Sequence, residues 1–493
     1  MTNQEHKNVI STIVAGGFCS SCGLCAASCP RNALTMRETD FGEMLPCLTH
    51  TAGPEDTCGC SSNCNSCLSI CPHGPFSQDE DQIARNLFQN DATGHLDSLG
   101  LYRACYQGRV ADDKKYMQAP CGGLCTDLLS SLLERNRIDS LVLPIPLKER
   151  PWFESRLIHT KEELAQAGGS VYHCTPMDLS LRDIIFGKEE TRTAVVALPC
   201  VAKAIRNLQL RFPTAKRRIK FVVGLVCGGL RARSFADFIT GFIGIKEGRL
   251  FYRRTLAGQK DSYHTRIEML AKDKAHSRSW YGIPGHFWVY EAASLSGCHY
   301  CDDIFCETAD IVYMEAFLPE FLNDSRGRNL IITRNKELDD VVQDCFRSKR
   351  WQGDLIDPQR VATSQYKPLY KRRSRVPARI RLARQNNDYV PQKRLDLCEK
   401  FISPSFTSKA QDRQAKREFK FFSSMRGKVT ASLKQLRSVN PRTSRRAAFL
   451  LWWSTLCCAA WYGVFEKVFS TNLNKKAEHA LNSPATQNQP EHE

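Results

Sequence analysis

A chain of 493 residues is too long for a single compact core and implies two or three domains. Its 23 cysteines, in a chain whose polar residues 1–7 lead into no apolar stretch, argue against an oxidised secreted protein. The expectation is metal ligation by thiols in a reducing, cytoplasmic compartment. The net charge of +17 is local: residues 371–446 hold 22 Lys and Arg against 5 Asp and Glu, which accounts for the whole excess. A basic stretch placed just before an apolar segment points to an anionic membrane surface rather than to nucleic acid.

The first informative element is C-x2-C-x2-C-x3-C-P through Cys19, Cys22, Cys25 and Cys29. This is the spacing of the bacterial two-cluster ferredoxin run, whose fourth cysteine reaches the other cluster. A second run follows at Cys64, Cys67 and Cys71, with Cys60 leading it one residue out of step and Cys58 and Cys47 as alternates. With crossed ligands, Cys19, Cys22, Cys25 and Cys71 hold one 4Fe-4S cluster, and Cys60, Cys64, Cys67 and Cys29 the other. A zinc site is the competing reading, and two C-x2-C-x3-C-P runs disfavour it. Residues 1–75 therefore read as a ferredoxin-like module, with a turn and short strands at 40–46, and residues 76–100 as a polar linker.

An α/β pattern begins near residue 101. Residues 118–123 form a loop that opens with Gly122 and Gly123 into a helix over 124–134, with Leu124, Leu128, Leu129, Leu132 and Leu133 on one face. Strands follow at 140–145, 193–198 and 220–226, and helices at 201–208 and 234–242. Cys200 and Cys227 stand at the carboxyl ends of two of these strands, where open α/β sheets bind ligands. Cys298 and Cys301 form a further C-x2-C on a loop before a strand at 309–313. The number of these four cysteines and their strand-end positions favour a third cluster. A lone buried cysteine is otherwise usually a small hydrophobe, the reading given to Cys105, Cys345 and Cys398. Neither G-x-G-x-x-G after a strand nor a P-loop occurs, so any dinucleotide is held without the usual fingerprints.

Residues 447–465 carry no charge. As a helix they span about 28 Å, close to a hydrocarbon core, with basic residues on the N-terminal side. The expectation is one transmembrane helix, with an interfacial or partner-docking helix as the competing reading. The expected domains are then 1–75, 76–100, 101–370, a basic linker 371–446, the membrane helix 447–465 and a polar tail 466–493. The expected location is the cytoplasmic face of the cell membrane, held by a C-terminal single-pass anchor.

Several pieces together resemble the beta-subunit family of the coenzyme F420-reducing hydrogenases and dehydrogenases over roughly residues 15–375. They are Cys121-Gly122-Gly123-Leu124-Cys125-Thr126, Gly169-Ser170-Val171-Tyr172, Leu198-Pro199-Cys200, Leu225-Val226-Cys227-Gly228-Gly229 and Cys298-His299-Tyr300-Cys301-Asp302. The resemblance implies a fold of the α+β or α/β class, a ferredoxin-like module followed by a mixed-sheet flavin-binding domain. It implies FAD beside Gly122, Gly123, Ser170 and Tyr172, and a cluster held by Cys200, Cys227, Cys298 and Cys301. The chain departs from the family pattern at Cys121, Val171 and Met314-Glu315, which bears on substrate more than on fold.

The function expected is a membrane-anchored iron–sulfur flavoprotein oxidoreductase. It would pass electrons between 4Fe-4S clusters and FAD and act on a small or lipid-linked substrate or a deazaflavin-type coenzyme. Its partners would be a ferredoxin or deazaflavin and an anionic membrane surface, with no nucleic acid. The alternative is an electron-transfer component of a larger membrane complex with no substrate of its own. No histidine or carboxylate stands in a motif that marks a catalytic acid.

Overall fold

The computed structural model describes residues 7–49, 64–254, 266–280, 282–321, 323–324, 326–386 and 388–464. Its centre is an eight-stranded mixed sheet: β1 (Ala104–Val110), β2 (Ser140–Pro146), β3 (Phe153–Ile158), β4 (Thr193–Ala197), β5 (Ile219–Leu225), β6 (Ile311–Glu315), β7 (Asn329–Thr333) and β8 (Trp351–Leu355). The spatial order is β8-β1-β7-β6-β5-β4-β2-β3. Strands β2, β4, β5 and β6 are mutually parallel neighbours, while β3, β7 and β8 run against theirs. The parallel strands are largely apolar because both faces are covered, with polar residues such as Ser140, Thr193 and Lys220 near their starts.

Alternation divides the sheet between two cores. Phe221, Val223, Ile311, Tyr313 and Ile331 pack with Leu124, Leu128, Leu129 and Leu132 of helix α1 (Leu124–Glu134). Val195, Val222, Val312 and Ile332 pack on the other face with Ala202, Ile205 and Leu208 of helix α2 (Pro199–Arg211). Leu24, Ala27 and Ile70 of the cysteine-rich N-terminal segment join this second core, so that segment is seated on the α2 side of the sheet. The expected polar linker at 76–100 contains a helix, Glu80–Phe88, closed by a reciprocal capping box between Asp79 and Gln82.

A third core gathers helix α3 (Ser234–Ile243), a three-stranded antiparallel sheet of Arg249–Arg254, Arg266–Ala271 and Lys274–Ser279, and two long C-terminal helices, α4 (Ser408–Leu436) and α5 (Pro441–Trp461). Residues expected to be a basic linker are thus largely helical, and they share a core with the domain before them.

The membrane expectation is corrected here. Among the described residues no helix is long and apolar enough to cross a membrane. The helical and uncharged part of the run extends only from 447 to 461, about 22 Å at 1.5 Å per residue. The chain leaves the helix there, with Gly463 at φ +63°. Ser444, Ala448, Leu451, Thr455 and Ala459, spaced by three and four, form the buried stripe of α5 facing α3 and α4. The run is half of a protein interface, and Phe465 and residues 466–493 lie outside the described residues. The single-pass anchor falls, and with it the placement on the cytoplasmic face of the cell membrane.

Packing of α5 makes a direct prediction. Leu451→Ala should lower the unfolding free energy by about 2–5 kcal/mol, because Leu451 is buried in the third core. Leu450→Ala on the exposed side should cost about 0.5 kcal/mol or less. Denaturant titration in detergent-free buffer reads both, and equal costs would contradict the packed helix.

Candidate functional site

The N-terminal thiols are gathered by a tight loop. Gly23 has φ +84°, and a Cβ there would stand 2.9 Å from the Asp178 backbone nitrogen. Met177 N–H donates to the Cys22 carbonyl at 3.0 Å, pinning the loop to the main domain. One helical turn, Leu24–Ala27, then carries Cys25 inward. The charge on Cys25 is felt from Cys22, Cys19, Cys71 and Cys67, and that on Cys67 from Cys64 and Cys29. Cys60 and Cys58 lie outside the described residues. Cys47 sits on the hairpin strand Met44–Leu48, its thiol directed at the Thr35 carbonyl.

The second group stands where the parallel strands end. Cys200 follows β4 in the first turn of α2, Cys227 follows β5, and Cys298 and Cys301 flank the short helical turn Ser296–Tyr300. The charge on Cys200 is felt from Cys298, Cys22, Cys227 and Cys301. Cys22 therefore lies within electrostatic reach of both groups.

Burial pushes Cys19 up to about 12 and Cys227 to about 11 and also raises Cys22, Cys25, Cys67, Cys71, Cys200, Cys298 and Cys301, so each of these holds its proton unless a metal centre replaces it. Backbone N–H groups already point at several sulfurs: Ser21 to Cys19 at 3.4 Å, Gly229 to Cys227 at 3.4 Å and Leu230 to Cys298 at 3.3 Å. Buried soft donors with N–H groups on sulfur fit an iron–sulfur cluster. Among the described residues no three His, Cys, Asp or Glu converge on a single ion position. A cubane spreads its thiolates over four iron corners, so its ligands stand farther apart than those of one ion.

The loop carrying Cys298 and Cys301 is strongly acidic and fully covered, which sequence spacing did not reveal. Asp302, Asp303 and Glu307 are buried just after it, and Glu291 just before. Glu291, Asp302 and Glu307 take their counter-charges from the basic C-terminal stretch, while Asp303 accepts only from the Glu307 N–H at 2.9 Å and burial pushes its carboxyl up to about 7. Arg372 reaches Glu291 at 2.6 Å, Arg373 and Arg394 reach Glu307 at 2.8 and 2.7 Å, and Lys393 reaches Asp302 at 2.9 Å. The same side chains hold the loop backbone: Arg372 donates to the Cys298 carbonyl at 2.7 Å and Arg373 to the Asp302 carbonyl at 2.9 Å. Burial opposes the charge on Glu291, but Arg372, Lys371 and Arg231 outweigh it and hold its carboxyl well below the usual range. Asp302 is likewise lowered by Lys393 and Arg394 against its burial.

The glycine loop and the Ser170–Tyr172 segment converge on a further ion pair. Gly122 has φ +50°, and a Cβ there would meet Asn329 Oδ1 at 2.4 Å. That same oxygen accepts from Leu124 N–H at 3.0 Å. Gly123, at φ +82°, opens α1. Arg253 pairs with Glu315 at the end of β6, and Cys121 and Tyr172 both lie within electrostatic reach of that pair. The Tyr172 ring is enclosed by Tyr252, Trp280 and Trp288 at centroid distances of 5.3, 5.7 and 5.0 Å. Glu315 Oε2 is engaged by Arg253, and Oε1 is buried without a hydrogen-bond partner. One unpartnered acceptor and a fixed cation beside an aromatic wall fit a planar cofactor such as a flavin. Arg253 and Asn329 were not legible as site residues, since each is brought in by a strand with no motif of its own.

Arg394 tests the acidic loop. Arg394→Met leaves Asp302 and Glu307 short of a buried counter-charge and should cost about 3–5 kcal/mol of stability. The exposed Lys336–Asp340 pair supplies the control, with Lys336→Met costing under about 1 kcal/mol. Urea unfolding compares the two, and a small loss for Arg394→Met would refute the burial of the acids.

Residues 105–182 match the family model for the N-terminal part of the coenzyme F420 hydrogenase/dehydrogenase beta subunit. Residues 190–358 match the model for the C terminus of that same beta subunit. The chain is 27% identical over 257 residues to the coenzyme F420 hydrogenase beta subunit of Methanothermobacter thermautotrophicus, covering 51% of this chain and 83% of that protein. It is 23% identical over 222 residues to a subunit of the F(420)H(2) dehydrogenase of Methanosarcina mazei, covering 44% of this chain and 55% of that protein. A solved structure of the F420-reducing [NiFe] hydrogenase complex from Methanosarcina barkeri aligns with a TM-score of 0.47 and 16% identity, over 60% of this chain and 98% of that one. An overlay that loose adds nothing to the family match.

Proposed function

Because this chain belongs to the coenzyme F420 hydrogenase/dehydrogenase beta-subunit family, a family of electron-transfer oxidoreductases, we propose that it is an iron–sulfur flavoprotein. In this reading it moves electrons between 4Fe-4S clusters and FAD and exchanges them with a deazaflavin-type coenzyme or a small substrate. The observation that carries the reading is the contact between the two cysteine loops. Gly297, the residue before Cys298, donates its N–H to the Cys19 carbonyl at 3.2 Å. Two thiol groups on touching loops favour a route between them over two isolated structural sites.

Cys19, Cys22, Cys25 and Cys71 would hold one cluster. Cys29, Cys64 and Cys67 would hold the second, with Cys60 as the fourth ligand. Cys200, Cys227, Cys298 and Cys301 would hold the third. Gly122, Gly123, Ser170 and Tyr172 would line the FAD. The bound groups would supply one-electron steps at iron and a two-electron hydride at the flavin. The chain's own residues do the rest. N–H groups of Ser21, Gly229 and Leu230 donate to sulfur and favour the thiolate form. Arg372, Arg373 and Arg394 exclude water from the Cys298 loop and hold it in place. Glu315 offers an acceptor and Arg253 a fixed cation beside Tyr172.

The relatives named above are subunits, which favours a second reading in which this chain delivers electrons to a larger assembly and reduces no substrate alone. Cofactor content decides the shared part. Anaerobically purified protein should contain about twelve irons, matching acid-labile sulfide and one FAD per chain. Cys227→Ser should lose about four irons and keep the FAD. Zinc without flavin in the wild-type protein would end the oxidoreductase proposal.

A further inference from the structure

Arg231 is a buried cation without an acid of its own. It is 2% exposed, and its guanidinium donates to the Gly229 carbonyl at 3.1 Å and the Trp288 carbonyl at 2.8 Å. It joins no ion pair among the described residues. The Trp288 ring covers it at 3.9 Å. Arg231 closes the turn Cys227-Gly228-Gly229-Leu230, whose N–H groups donate to the sulfurs of Cys227 and Cys298. A Cβ on Gly229 would overlap the Arg372 guanidinium and stand 3.2 Å from that of Arg231. Two cations therefore flank the residue whose N–H meets Cys227. One acid, Glu291, stands with them, and Arg372 already takes it at 2.6 Å. Lys371 approaches the same acid at 3.8 Å.

An uncompensated cation in a dry interior is costly and calls for an anion. Burial lowers Arg231 only to about 10, so it stays charged at neutral pH. After Glu291 and Arg372, the charges it feels most are those of Cys298 and Cys227. On the Cys301 side Lys393 is matched by Asp302 at 2.9 Å, and burial pushes Asp303 up toward its neutral acid. The adjoining N-terminal thiols have the opposite surroundings. Cys19 feels Glu43 and Cys22 feels Asp178. No cation stands among the charges that Cys19, Cys22, Cys25 and Cys71 feel most.

We propose that Arg231, seconded by Arg372, sets the potential of a strand-end cluster above that of its N-terminal neighbour, and so gives electron flow its direction. The proposal rests on the cluster assignment made above. Four thiolates leave a cubane centre anionic, and one added electron makes it more so. A fixed cation at close range therefore favours the reduced form, and an acid disfavours it. The step moves one electron and no proton, and no bond forms or breaks. The centre held by Cys19, Cys22, Cys25 and Cys71 is oxidised as the centre held by Cys200, Cys227, Cys298 and Cys301 is reduced.

Redox titration followed by electron paramagnetic resonance, on the anaerobically purified full chain, reads the potentials. The cluster signal missing from Cys227→Ser belongs to the strand ends. In the wild type it should be the first cluster signal to appear as the potential is lowered. Arg231→Gln keeps a donor for the Trp288 carbonyl but loses the charge. It should weaken electron uptake at the strand ends at least ten-fold, about 59 mV for a one-electron centre, and move the other signals under about three-fold. Arg231→Lys should stay within about three-fold of the wild type, because the charge remains. Glu291→Gln removes the acid and should shift the same signal upward, and a loosened, wetter loop does not produce both signs. A strand-end signal that appears last, that stays in place in Arg231→Gln, or that moves alike in the Gln and Lys variants would overturn the proposal. Should the Arg231 variants not fold, Glu291→Gln decides: an upward shift supports the proposal, and a static or lowered potential overturns it. Full iron content with unmoved potentials leaves the cluster assignment standing, whereas protein without iron removes both.

Discussion

Burying four acids next to a cysteine loop is the constraint that shapes this molecule. Glu291, Asp302, Asp303 and Glu307 surround Cys298 and Cys301 out of contact with water. A buried carboxylate is stable only when paired and hydrogen-bonded. For Glu291, Asp302 and Glu307 the pairing is supplied from far along the sequence, by Arg372, Arg373, Lys393 and Arg394, some 70 to 90 residues downstream; Asp303 has no such partner, and burial pushes its carboxyl up. An ion pair of this kind adds little net stability over a well-packed apolar pair, yet removing one member is costly. The network therefore acts as a register: it admits one seating of the C-terminal segment on the loop and rejects others.

That seating fixes much else. Once residues 371–394 are docked, α4 is carried back across the molecule. Arg426 then meets Glu43 of the N-terminal module, and Arg437 meets Glu38 and Asp237. The cysteine-rich module is thus clasped from both sides, by the α2 face of the sheet and by the returning helices. The same contacts hold the Cys19–Cys25 loop against the loop that carries Cys298. Many of the basic residues of 371–446, Arg372, Arg373, Arg379, Lys393, Arg394 and Arg426 among them, pair with acids of this chain, and the net charge of +17 remains.

What could be read from sequence follows from how local each signal is. The cysteine spacings are covalent facts, so both runs were legible, and so were the apolar strands that end at Cys200 and Cys227. The helix-covered sheet was legible for the same reason, since apolar strand runs and helically spaced leucines such as Leu124, Leu128 and Leu132 are short-range patterns. The Glu80–Phe88 helix was missed although its capping box, Asp79 with Gln82, was present in the sequence. The membrane helix was misread because absence of charge was counted and periodicity was not. Ser444, Ala448, Leu451, Thr455 and Ala459 mark a narrow stripe of mostly small residues, which suits close helix contact and not lipid. Arg253, Asn329 and the arginines of the acidic loop were illegible for a different reason. Their partners lie tens to hundreds of residues away, and only the fold brings them together.

Hydrogen exchange, followed residue by residue on the intact protein, tests the central claim that the C-terminal segment is part of the folded core. The amides of Ser408–Leu436 should exchange as slowly as those of Thr193–Ala197 and Ile219–Leu225 in the sheet, because all open only with global unfolding. Exchange of the helix at the rate of a free peptide, with the sheet still protected, would contradict it. The segment would then be a tether and the acids of the Cys298 loop would need another source of charge.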